Sequence, residues 1–273
     1  MMIAQSISFW TAVTLYALAT ASFFIWAAFK RELAGAWGFR LTLLALVPHA
    51  VSLGMRWVEV GHGPYSSRYE VLSANAFVLV AMFVGVVQAR KELKGLGAMV
   101  LPAVFLLMGW AVSAYGLKYE VPIIFKSYWL LLHIGFAKAF AATIVLAAGC
   151  AVAYLIKRGA DRRLSMLPSA EKLDRYSHQF LLVSFFFLGV MIAAGSLWAH
   201  QSWGRYWAWD PIETSSLAAW IAFGVILHLR VIHRWSGRPM AYLTLVAFGF
   251  AIMVLYIVTL LVPTIHNSYM VGR

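Results

Sequence analysis

Trp203–Trp220 reads WGRYWAWDPIETSSLAAW and lies between two long apolar runs. Its first eight residues hold three tryptophans, a tyrosine, an arginine and an aspartate. A loop that merely joins two membrane helices does not need so much aromatic surface. If the segment is helical, Trp203, Trp207 and Asp210 fall at i, i+4 and i+7 and share one face, flanked by Tyr206 and Trp209. A flat, apolar, electron-rich ligand would find a platform there, and Arg205 would meet an acid group at its edge. The continuation reads as a helix start, with Asp210 as N-cap, Pro211 at the first helical position and Glu213 three residues after the cap. The platform is thereby fixed to the top of a helix. The plain alternative is a belt of interfacial tryptophans, which membrane proteins commonly carry.

The flanking runs set the class. The chain is 63% hydrophobic and only 12% charged, which excludes a soluble globular domain. Each span must satisfy its own backbone hydrogen bonds, so the expectation is an all-α polytopic membrane protein. The single cysteine, Cys150, lies in an apolar run without a CxxC partner, which excludes an internal dithiol pair or a structural disulfide. A net charge of +12 fits basic cytoplasmic loops and anionic lipid headgroups rather than nucleic acid.

Spans of ~20 apolar residues are needed to cross a bilayer core. Eight are expected, at 8–29, 41–58, 71–89, 98–116, 128–156, 178–198, 212–232 and 240–262, in a single integral membrane domain over 1–273. The second is the shortest. Residues 1–10 carry no Lys or Arg and the first apolar run is long enough to span, so no cleavable leader is expected. The segments 30–40, 90–97, 157–176 and 230–239 hold 15 of the 22 basic residues, which assigns them to the cytoplasm. Both termini and the tryptophan segment then face outward, the periplasmic side of a bacterial inner membrane.

After the second span the chain reads RWVEVGHGPYSSRYE, crowding Arg56, Glu59, His62, Arg68 and Glu70 around a turn at Gly61, Gly63 and Pro64. Taken alone this is a solvated loop whose surface ion pairs contribute little. Two stretches together carry a family resemblance. WGxxWxWDPxET resembles the tryptophan-rich WWD signature of haem-handling proteins in cytochrome c biogenesis, and the DPxET continuation looks like the system II CcsA/ResC branch. GHxPxSxxYE resembles that family's corresponding outer loop, with Ser67 where the family usually has Asn.

Four of the eight histidines, His62, His178, His200 and His233, sit at span ends or in loops and read as ordinary interfacial residues. His133 lies about a turn and a half inside the outer end of the fifth span, and His266 follows the eighth on the same side. Two neutral imidazoles facing each other across a gap hold haem iron in many proteins. The family resemblance implies the same pair as ligands of an external haem, although Asn267 interrupts the family's usual His-Ser-Tyr after His266. His228 lies ~22 Å below Glu213 at helical rise, in the inner half of the seventh span, where a polar ring is costly. The resemblance implies that it ligates a haem within the membrane. The candidates for its opposing ligand are His49, at a comparable depth in the second span, and a residue of a CcsB/ResB partner. Lys138, five residues deeper than His133, must snorkel, pair with an acid or face a polar cavity.

The resemblance implies the haem-delivery half of a cytochrome c synthase. Haem b, bound transiently and non-covalently, would be presented outward to an apocytochrome CxxCH segment for thioether formation, as a haem lyase acting only together with a CcsB/ResB subunit. The chain would place the reactants and supply no nucleophile. Two other classes remain: a membrane b-type cytochrome that uses the same histidines as permanent bis-histidine haem ligands, and a haem-free assembly protein that keeps the same fold.

Overall fold

The computed structural model describes residues 2–114, 126–159 and 165–264. Its helices are α1 (Met2–Phe29), α2 (Glu32–Val60), α3 (Arg68–Ala89), a 3₁₀ turn (Lys91–Leu96), α4 (Gly97–Val112), α5 (Tyr128–Gly159), α6 (Ala170–Trp203), α7 (Pro211–Val231) and α8 (Arg238–Ile252). The last continues as a π-helix over Met253–Val258 and a final turn, Thr259–Leu261. Among the described residues there is no strand, and eight helices are long and apolar enough to cross a membrane. The protein is an all-α membrane protein, as its hydropathy requires.

The second span is longer than its apolar run indicates. Glu32–Val60 is one helix of 29 residues, because the turn before it is only Lys30 and Arg31. Arg40, expected in a loop, lies on the helix instead. Pro48 is accommodated inside it.

The chain packs as two compact units. The first comprises residues 1–118 and 152–173, and the second residues 119–151 and 174–273. In the first, α1 and α2 approach through small residues: a side chain at Gly35 would come within 2.4 Å of the Trp26 ring, and one at Gly38 within 3.1 Å of Phe23. Trp26 donates from Nε1 to Glu32 at 3.1 Å and takes the Lys94 ammonium on its face at 4.7 Å.

The loop after α2 is built differently from the solvated loop its charges suggest. Arg56 and Glu70 are 2% and 0% exposed, and Arg56 Nε donates to Glu70 Oε1 at 2.9 Å. The other carboxylate oxygen accepts from the Ser66 and Ser67 amides at 3.0 and 3.2 Å. Ser67 Oγ in turn accepts from the Glu70 amide, closing a capping box. Ser67 thereby serves as the N-cap of α3. Gly61 supplies the left-handed residue, φ 76°, that stops α2. Removing either charge would leave the other buried without its ion-pair partner, an effect on the order of 3–5 kcal/mol.

The second unit is built on α5–α8. Phe140, Ile144, Leu181, Leu188, Phe223 and Ile226 are buried together at its centre. Polar bonds pin α5 to α6: Ser184 donates to Thr143 Oγ1 at 2.9 Å and Ser177 to the Ala147 carbonyl at 3.1 Å. At the other end from the tryptophan segment, Asp174 accepts from Arg230 at 2.6 Å and from the Gly237 amide at 3.0 Å, tying α6 to the turn between α7 and α8.

Candidate functional site

Three helix ends of the second unit define the site: the start of α5, the end of α6 and the start of α7. The tryptophan segment between α6 and α7 is a loop rather than a helical turn. Helix α6 stops at Trp203 because Gly204 adopts φ 73° and returns its amide to the His200 carbonyl at 2.8 Å. Residues 204–210 have no helical structure, so Trp203, Trp207 and Asp210 do not share a helical face. Their grouping comes from packing instead. Trp203 sits edge-on to Trp198 with centroids 5.0 Å apart, and Trp207 edge-on to Trp209 at 5.8 Å. Tyr206 stacks on His200 at 4.1 Å and 11°. Arg205 is exposed.

The helix start after the loop is as its sequence dictates. Asp210 caps α7, accepting from the Ile212 amide at 2.9 Å, with Pro211 in the first turn and Glu213 completing the capping box. The carboxylate of Glu213 also reaches further back. Its Oε2 accepts from the Ala208 amide at 2.7 Å and from the Asp210 amide at 3.2 Å. Thr214 Oγ1 donates to the Trp209 carbonyl at 3.2 Å. Between those bonds Trp209 is held at φ 58°, a left-handed conformation that is strained for a bulky residue. It is also 69% exposed. The Glu-Thr pair of the motif therefore holds a strained, outward tryptophan in place.

His133 is on α5, and its ring meets a pocket lined by Met191, Gly195, Ser196, Tyr206, Trp207, Glu213 and Ser216. Its Nδ1 lies 2.8 Å from the Met191 carbonyl oxygen. A carbonyl only accepts, so Nδ1 carries the proton and the lone pair of the neutral ring is on Nε2. Trp198, 3% exposed, stacks beside the ring at 6.5 Å and 23°. Ser127, ahead of α5, donates to Gln201 of α6 at 2.6 Å and accepts from the Trp129 amide.

The other histidines are distributed as follows. His266 lies outside the described residues. His228 stands in the last turn of α7, exposed, with the His233 ring edge-on at 5.5 Å. It lies three residues before the end of α7 at Val231. In the first unit, His49 is fully buried, with its Nδ1 3.1 Å from the Tyr16 hydroxyl and its Nε2 3.1 Å from Ser73 Oγ. That ring cannot take iron without giving up one of these bonds. Lys138 is half-buried on α5. The residues of this site that carried no signal in the sequence are Met191, Gly195 and Trp198. They fall at i, i+4 and i+7, one face of α6.

Comparison with known proteins gives the class. A model of the cytochrome c assembly protein family matches residues 65–266, and the chain belongs to that family. Among curated relatives, the cytochrome c biogenesis protein CcsA of Guillardia theta is 28% identical over 241 residues, covering 79% of each chain. CcsA of Synechococcus elongatus is 28% identical over 275 residues, covering 80% of this chain and 82% of its own. The solved structure of the cytochrome c haem lyase CcmF has the same fold, with a TM-score of 0.69 at 12% identity over 92% of this chain and 46% of its own. The resemblance read from the two sequence motifs is borne out at the level of the CcsA family, and the protein belongs to cytochrome c biogenesis.

The side chains at this face are of the kinds that an iron porphyrin takes, an imidazole beside aromatic rings. His133 offers an imidazole of fixed tautomer beside a wall of aromatic rings. Two buried polar atoms next to that wall, Trp207 Nε1 and Ser202 Oγ, have no partner. Orphaned buried donors call for an acceptor, and a porphyrin carries two carboxylates.

Proposed function

We propose that this chain is the haem-handling subunit of a system II cytochrome c synthase, presenting haem b at the outer membrane face for attachment to an apocytochrome CxxCH segment. The observation that carries the reading is His133, with Nδ1 committed to the Met191 carbonyl and its ring at a pocket walled by the WWD loop. In this reading haem is the substrate and supplies the two vinyl groups. Each cysteine S–H adds across one of them, forming a C–S bond and placing the hydrogen on the neighbouring carbon.

This chain's part is placement. His133 holds the iron from one side and His266 from the other. Trp203, Tyr206, Trp207 and Trp209 cover the porphyrin face and exclude water. Arg205 and Asp210 set the loop's outer edge and its anchor. His228, at the opposite end of α7, receives haem before it reaches the outer site, its second ligand coming from a CcsB/ResB-type subunit. Both termini and the WWD loop face the periplasm of a bacterial inner membrane.

Absorbance spectra of the purified protein, oxidised and reduced, test the chemistry. Substoichiometric haem that exchanges with added haem is expected. Full, permanent occupancy would make the chain a b-type electron carrier, and no haem would make it a haem-free assembly protein. Orientation has its own test. A reporter active only outside the cytoplasm should work fused after Arg273 and fail when inserted near Arg163. The reverse pattern would put the WWD loop on the wrong face.

A further inference from the structure

We propose that Gly195 is a positioning residue for His133, and that its lack of a side chain is what presents the ring's Nε2 to iron. The inference rests on the reading of His133 as a haem ligand. Helix α6 turns one face toward the ring, with Met191 below, Gly195 in the middle and Trp198 above. A Cβ placed on Gly195 would lie 2.7 Å from His133 Nδ1, 3.0 Å from Cε1 and 3.6 Å from Cγ. The first distance is shorter than van der Waals contact permits, so either the ring or the helix must move.

The ring has little room to yield. Trp198 is buried and stacked beside it. Any retreat from α6 lengthens the 2.8 Å bond between Nδ1 and the Met191 carbonyl. A helix carbonyl keeps a lone pair after accepting its own i→i−4 bond, and at Met191 a side chain on the residue four further on would crowd the ring that uses that lone pair. Gly195 is the residue four after Met191.

The bond matters in two ways. It holds the proton on Nδ1, so the neutral ring keeps its lone pair on Nε2. It also draws that proton outward, which makes the ring a stronger donor and favours ferric over ferrous iron. Without it the ring is free to hold its proton on Nε2, which cannot ligate, and any iron it does bind sits at a more positive potential. Loss of a comparable outer partner typically costs about 10–100-fold in metal affinity.

The experiment compares four forms of the full chain, expressed with its partner subunit: the unaltered protein, Gly195→Ala, His133→Gly, and the double variant. Haem content, the reduction potential of the bound haem, holocytochrome formed and protein level are measured on each, with and without added imidazole. Gly195→Ala should keep its protein level and lose about tenfold or more of its outer-site haem. The haem that remains should shift to a more positive potential, and imidazole should restore part of the product. In the double variant the ring that met the added Cβ is gone, so imidazole should restore as much product as in His133→Gly alone. A double variant that fails where His133→Gly is rescued would mean the alanine simply damages α6, and the proposal falls. Unchanged potential and haem content in Gly195→Ala also overturn it while leaving His133 as ligand. Normal product from His133→Gly would instead remove the ligand reading, and the proposal with it.

Discussion

His133→Gly is expected to abolish holocytochrome c formation, and added imidazole to restore part of it. The glycine leaves an imidazole-sized gap between α5 and α6, beside the buried Trp198 and the open Met191 carbonyl. A free imidazole entering that gap meets the same carbonyl acceptor and recovers the same tautomer, so it can occupy the vacated axial position. Packing loss is a smaller effect. The ring is half-buried and its stacking on Trp198 contributes about 0.5–1.5 kcal/mol, which lowers stability without abolishing the fold. Protein level should therefore stay near normal while product disappears. His266→Gly, at the second ligand of the proposed site, should behave alike. Normal maturation in the His133 variant would sink the outer-site model.

The parts of this molecule that were legible in the sequence are those fixed by local rules. A bilayer demands long apolar helices, so their number follows from hydropathy, and α2 differs only because its polar first turns are helical too. The start of α7 was equally plain, since Asp210, Pro211 and Glu213 act within four residues of one another. What escaped depends on neighbours distant in the chain. Arg56 and Glu70 look like surface charges until the fold buries both against each other. Gly195 looks like any glycine in a membrane helix, and Met191 acts through a backbone atom that every residue has. Trp198 blends into the aromatic run after it. His49 and His228 show the same limit in reverse. Their depth was readable, whereas the Tyr16 and Ser73 bonds of the one and the exposed position of the other were not.

Glu213→Ala is expected to leave haem bound and remove most of the product. The carboxylate accepts from the Ala208 and Asp210 amides on either side of Trp209, and hydrogen bonds to a charged group contribute about 1.5–3 kcal/mol. Those bonds hold Trp209 at its positive φ, a conformation that itself costs on the order of 1–3 kcal/mol. Without them the strain relaxes, and the aromatic loop moves while His133, on α5, stays where it was. Iron remains held, but the vinyl edge is no longer presented in one orientation. Asp210→Ala should act in the same direction and more weakly, since loss of an N-cap costs about 0.5–2 kcal/mol. Glu213→Gln keeps a carbonyl oxygen able to take both amides, so it should retain more product than Glu213→Ala. Single Trp203, Trp207 or Trp209→Ala changes remove contact area and about 0.5–1.5 kcal/mol of stacking, and should weaken maturation without clearing haem. An interfacial belt predicts a different pattern, in which protein level and insertion change while product per molecule is preserved. Haem, protein level and product measured together on these variants separate the two, and unchanged product per protein in all of them would reduce the WWD loop to a membrane anchor.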